Sequence, residues 1–137
     1  MIAVVLDSNI YISALVFGGN PLRIIRLAEL GVIEPYVSTE IQAEVERVLI
    51  GKFHWQPTRV TAAAKYVWTL TLCIEPTRRV DDCIDPDDNR VLECASEAGA
   101  SWIITGDQHL LDLNPYGSIA IATPRQFLDS KVWEGKE

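Results

Sequence analysis

A chain of 137 residues, 48% hydrophobic and 23% charged, is long enough for one domain with its own core and too short for two ordinary ones. Its net charge of −7 repels a polyanion at long range, so any nucleic-acid role must rest on bound metal, a local basic patch or a basic partner. Three cysteines (Cys73, Cys83, Cys94) without C-x-x-C spacing and two distant histidines (His54, His109) argue against a disulfide framework or a zinc knuckle.

Ile2 to Leu6 is a continuous apolar, β-branched run that suits a strand buried on both faces of a parallel sheet. It lacks a basic n-region and is cut short by Asp7, so it does not read as a signal peptide. No apolar run approaches the roughly 20 residues of a membrane span, which makes a cytoplasmic location the default expectation. Ser8 is placed to cap a helix through Ile10–Val16, and Asn20 with Pro21 to open a second one that ends at Gly31. Ile33 to Val37 follows as a short strand. Ser38–Thr39 then caps a third helix, Thr39 and Gln42 having capping-box spacing, with Ile41, Val45, Val48 and Leu49 as its core stripe. Pro57 or Thr58 opens a fourth helix, and Leu72 to Ile74 is a short extended piece.

Asp85 as cap, Pro86 at the first helical position and Gly99 at the end bracket a fifth helix with a buried face of Val91, Leu92, Ala95 and Ala98. Trp102 to Ile104 is a strand ending at Thr105-Gly106-Asp107, and Ile119 to Ile121 is the last strand. Pro124 to Leu128 gives a final short helix. Residues 1–129 are expected to form one domain and 130–137 a polar tail. The alternation of strands and helices indicates an α/β domain with a mostly parallel sheet, in which sites form outside the carboxyl ends of the strands.

Asp7 and Asp107 each stand at the carboxyl end of an expected strand. Asp7 could be a helix cap, but Ser8 competes for that role, and a charge directly after five buried residues is costly unless paired or on a metal. Asp107 has the ordinary alternative of a turn aspartate. Asp88 would sit in the first turn of its helix, where the helix dipole favours a carboxylate by about 0.3–1 kcal/mol. At roughly 100° per residue it also projects onto the face of Val91, Leu92 and Ala95, where it needs a partner. Asp85 and Asp87 are explained as cap and first-turn acid. Glu44 lies at the edge of its helix's core stripe, and spacing alone leaves it a solvated side chain like Glu40 and Glu46. Hard cations such as Mg²⁺ or Mn²⁺ take carboxylate and water oxygens without His or Cys. Such an ion lowers the pKa of bound water, polarises a phosphoryl oxygen and steadies the leaving alkoxide. Ser8, Asn9 and Thr105 are placed to orient the acids by hydrogen bonds.

Four pieces, in order, resemble the PIN-domain family: VVLDSNIYISAL with Asp7, STEIQAEVERVL with Glu44, DPDDNRVLECASEAGA with Asp88, and WIITGDQHLL with Asp107. The branch they look most like is the VapC-like toxin components of toxin–antitoxin pairs. The resemblance implies a three-layer α/β/α fold and a Mg²⁺- or Mn²⁺-dependent endoribonuclease. It carries Asp7, Glu44, Asp88 and Asp107 over as catalytic and metal-binding acids, with Asn9 and Thr105 as supporting polar residues, and it alone raises Glu44. His109 stands where many relatives have a further acid. Toxins of this kind usually pair with a small antitoxin protein and often form homodimers.

The alternative within the family is a PIN module that binds RNA or a protein partner without cutting. A receiver or an aspartate-nucleophile phosphatase fits less well, because the first strand lacks D-x-D and no lysine closely follows the Thr105 strand. Arg23, Arg26, Arg78, Arg79 and Arg90 are the candidate phosphate grips.

Overall fold

A computed structural model of the chain describes residues 1–135. Its centre is β1 (Ile2–Leu6), whose Val4, Val5 and Leu6 are completely buried, as an unbroken apolar run requires of a strand covered on both faces. β1 pairs in parallel on one side with β2 (Ile33–Val37) and on the other with β4 (Trp102–Ile104). The short β3 (Leu72–Cys73) extends the sheet beyond β2, and β5 (Ala120–Ala122) extends it beyond β4. The order is therefore β3-β2-β1-β4-β5, all parallel.

The chain winds outward from β1 to β3, then returns to the other side of β1 and winds outward again. With right-handed crossovers, the two winding directions put helices on both faces, giving the expected three-layer α/β/α arrangement. The reversal falls between β1 and β4, so the carboxyl ends of these neighbouring strands border the crevice where open α/β sheets place their sites.

The helices are α1 (Ser8–Val16), α2 (Gly19–Glu29), α3 (Thr39–Gly51), α4 (Pro57–Thr69), α5 (Pro86–Ala98), α6 (Gln108–Leu111) and α7 (Pro124–Ser130). None is long and apolar enough to cross a membrane among the described residues. α5 starts and stops as its sequence predicts: the Asp85 side chain accepts the Asp87 N–H at 2.9 Å, Pro86 fills the first turn, and Gly99 closes the helix in the left-handed region at φ 63°. α6 is an addition to the expected elements. It is four residues long, too short to show any periodicity.

Two helix starts differ from the sequence expectation: Asp7, not Ser8, occupies the cap position of α1, and Gly18, not Asn20, that of α2. α3 starts within the expected Ser38–Thr39 pair: Ser38 is the cap, accepting from the Ile41 N–H at 3.3 Å, and Thr39 is the first helical residue, so its capping-box spacing with Gln42 is not used. Ser8 and Thr39 instead donate their hydroxyls to side chains distant in sequence, Glu44 and Glu75 respectively. Gly18 adopts φ 80°, which lets α2 begin two residues earlier.

Within the expected polar tail, Trp133 packs against the core and its indole N–H donates to the Leu128 carbonyl at 3.2 Å. Residues 136 and 137 of that tail lie outside the described residues.

Leu92 of α5 is fully buried, while Ile84, just before that helix, is 98% exposed. Replacing Leu92 by Ala is expected to cost about 2–5 kcal/mol through lost burial and a residual cavity. Ile84→Ala should stay within roughly 0.5 kcal/mol of the parent. Urea unfolding of both variants checks the contrast.

Candidate metal centre

Asp7 follows β1 directly and is only 4% exposed. Although it occupies the cap position of α1, its side chain makes no cap hydrogen bond, which leaves both oxygens for other partners. Thr105, at the end of β4 and fully buried, donates its hydroxyl to Asp7 Oδ2 at 2.7 Å and accepts the Asp107 N–H at 2.9 Å. One hydroxyl thus ties the ends of the two central strands together and sets the path of the chain into Asp107. Asp107 caps α6, its Oδ1 accepting the His109 N–H at 2.8 Å. His109 therefore acts here through its backbone, and its ring is not part of the acidic cluster.

Asp88 comes from the first turn of α5 and is 4% exposed, pointing inward as the helical phase requires. Its Oδ2 is buried with no hydrogen-bond partner among the described residues. One carboxylate oxygen from each of Asp7, Asp88 and Asp107 lies within 4.8 Å of the others. Three elements distant in sequence thus deliver three acids to one point.

Glu44 enters differently. The Ser8 hydroxyl donates to Glu44 Oε1 at 2.6 Å and also lies 3.3 Å from Asp7 Oδ1, so Glu44 is joined to the cluster through Ser8 and does not share the common point. Asn9 is exposed and assists Asp7 through its backbone N–H. Asp87, assigned on sequence grounds to the helix start, also faces Glu44 closely enough to influence it.

Charge in this confined space is costly. Burial pushes the Asp7 carboxyl up; Thr105, Ser8 and the Asn9 amide oppose this, and Asp107 adds to it. Asp88 is pushed up to about 8, first by burial and then by Asp107, with Asp7 and Asp85 contributing. Two carboxylates at this separation can hydrogen-bond only if one keeps its proton, so without a cation Asp88 tends to hold one toward Asp107. Burial likewise raises Glu44, partly offset by Ser8 and reinforced by Asp87 and Asp7. A divalent cation removes the conflict. The donors are all hard oxygens, and the unpartnered Asp88 Oδ2 offers a lone pair that no protein hydrogen bond occupies. The residues present therefore fit an Mg²⁺- or Mn²⁺-type site in which Asp7, Asp88 and Asp107 supply the oxygens.

Two buried polar residues that position α5 went unassigned in the sequence. Asn89 brackets Cys83, accepting its N–H at 2.8 Å and donating to its carbonyl at 2.9 Å. Glu93 accepts the Val80 N–H at 2.7 Å and pairs with Arg90 at 3.0 Å and Arg79 at 3.3 Å. The i,i+3 spacing of Arg90 and Glu93 was a visible signal, but a pair at that spacing ordinarily lies on a solvated face. Arg90, mostly buried against Glu93, is thereby part of the fold, while Arg79 and Arg26 (paired with Glu29 at 2.8 Å) make more exposed ion pairs.

An all-parallel sheet in this order, with three acids converging at its switch point, describes a class of small acidic-centred α/β domains. The PIN domain family model matches residues 3–109, and the chain belongs to that family. The chain is also similar to an uncharacterized protein of Methanocaldococcus jannaschii, 30% identical over 141 aligned residues that cover 93% of this chain and 90% of the archaeal protein. PIN domains are generally nucleases, and the acidic cluster fits a divalent metal.

The raised Asp88 carboxyl makes stability pH-dependent in a defined direction. Between the unfolded value of 3.8 and about 8, the unfolded chain has lost a proton that the folded chain retains, so metal-free stability falls as pH rises through this window. Asp88→Asn removes that penalty. In EDTA near pH 8 the variant should be more stable than the parent by roughly 1–3 kcal/mol, the cost of a buried unsatisfied group. The advantage should vanish below about pH 4, the ordinary range of an aspartate. A pH series of urea melts tests the sign.

Proposed function

We propose that this protein is a metal-dependent endoribonuclease, the toxin component of a toxin–antitoxin pair, acting with Mg²⁺ or Mn²⁺. The observation that carries the reading is the convergence of Asp7, Asp88 and Asp107 oxygens within 4.8 Å, with one Asp88 oxygen left without a protein partner. When bound, a divalent ion there supplies activation of a water and neutralisation of charge developing on a phosphodiester.

The chain's own residues supply the setting. Thr105 and Ser8 hold Asp7 in place, and the Asp107 cap of α6 fixes one of its oxygens while leaving the other free. Glu44, through Ser8, adds negative charge beside Asp7 and orients the hydroxyl that Asp7 shares. The fit to RNA, cleavage leaving 5′-phosphate and 3′-hydroxyl ends, a cognate antitoxin, a homodimer and a cytoplasmic site of action all follow the family resemblance. With a formal charge of −7, the protein must meet RNA through the cation and local arginines, not through its overall field.

Asp7→Asn and Asp88→Asn should each abolish Mn²⁺-dependent cleavage of single-stranded RNA while leaving the circular-dichroism spectrum unchanged. In the parent, Mn²⁺ at about 100 times its dissociation constant should raise stability by about 2.7 kcal/mol, and Asp88→Asn should lose this increment. Undiminished cleavage by both variants would sink the mechanism. Metal binding and RNA binding without cleavage by the parent would favour a binding module instead.

A further inference from the structure

We infer that the hollow between the α1–α2 junction and the start of α7 is the track for one strand of the nucleic acid, beside the bond to be cut, with Arg125 and Arg23 gripping its backbone phosphates. The inference rests on the nuclease reading and assigns that site a substrate path. The hollow, about 310 Å³, is lined by Asn9 and Gly106, which lie two residues from Asp7 and one residue from Asp107 in the chain. Asn20 and Arg125 also line it and are shared with a depression of about 290 Å³ that also contains Arg23. Through these shared residues the two adjoin as one furrow.

The chemistry of its walls suits a single strand. Pro21 and Pro124 offer apolar surface against which a base or ribose can lie, while Arg125 and Arg23 in the same furrow offer guanidinium groups to a backbone phosphate. A side chain at Gly106 would meet no protein atom within 4 Å, so the floor next to Asp107 is open to an occupant.

Both arginines here are weakly engaged. Arg26, Arg79 and Arg90 are paired with glutamates, whereas Arg23 makes no ion pair among the described residues and donates one hydrogen bond, to Asn20 at 3.3 Å. Arg125 meets Asp129 at 3.7 Å, but both side chains are largely exposed, at 82% and 74%. An exposed pair of that kind is weak and screened by solvent, so a phosphate can displace the carboxylate. On an acidic protein, two weakly engaged guanidinium groups on one furrow beside the metal centre form the local basic patch that a nucleic-acid role requires.

The test uses the full chain and an end-labelled single-stranded RNA. Binding is read by fluorescence anisotropy in EDTA over a salt series, and KM and kcat are read separately with Mn²⁺. Each of Arg23→Ala and Arg125→Ala should lower the slope of log affinity against log salt by about 0.7. Each should also raise KM several-fold with little change in kcat, and Arg125→Lys should restore the slope. Lys65→Ala, an exposed position on α4, serves as the control for a general loss of charge. Slopes and KM values matching those of Lys65→Ala would overturn the track while leaving the nuclease reading in place. Arginine-dependent binding by a parent protein that does not cleave would keep the track and remove the nuclease reading. A parent that neither binds nor cleaves single-stranded RNA would overturn both.

Discussion

The structure depends on how a buried carboxylate is tolerated at the end of the central strand. Asp7 follows three fully buried residues, in a place where an unpaired charge is heavily penalised. Thr105 and Ser8 reduce that penalty with hydroxyl donors, and Thr105 also receives the Asp107 amide. The Thr105 hydroxyl bond that helps make Asp7 bearable therefore also ties the end of β4 to the end of β1 at the topological switch point. Fold and site share one set of contacts, and the residual electrostatic conflict among Asp7, Asp88 and Asp107 is what a cation would resolve.

The third acid is delivered by a separate device. α5 is anchored by Asn89 and Glu93, whose side chains satisfy backbone groups of the segment leading into it and, for Glu93, two arginines. A buried charge with such partners is tolerable, but removing one partner from a buried pair typically costs about 3–5 kcal/mol. The contrast with Asp88, on the same helix and equally buried, is informative. Glu93 has a full set of donors, whereas Asp88 has an oxygen with none. Equal burial with opposite satisfaction separates an acid that holds the fold from one held for chemistry.

Charge is sorted in the same way over the rest of the molecule. Of the candidate arginines, Arg26, Arg79 and Arg90 each have a carboxylate partner, whereas Arg23 and Arg78 have none among the described residues. Arg125, not among those candidates, shares a furrow with Arg23. Spacing of three or four residues signals pairs such as Arg26–Glu29 and Arg90–Glu93, but which arginine stands beside the acids is decided only in three dimensions.

Much of the architecture was legible because its signals are local. The apolar run of β1 ends at a charge, and α5 is bracketed by Asp85, Pro86 and Gly99, each acting on backbone groups within a turn. The inward aim of Asp88 likewise follows from helical phase. The cap of α1 is Asp7 and not Ser8, because the Ser8 hydroxyl has a partner 36 residues away in Glu44, and such a partner competes with capping. Spacing alone leaves Glu44 a solvated side chain like its neighbouring glutamates; the family resemblance raises it, and the tertiary structure sets the Ser8 hydroxyl against it. The sequence by itself determined the strands, the helix bounded by Asp85 and Gly99, and the acids at the strand ends, since φ/ψ preference, burial period and capping act within a few residues. Only the tertiary structure decided which acids meet, which arginines remain available and where a substrate strand can lie, because those depend on distances between elements that adjacency in sequence does not constrain.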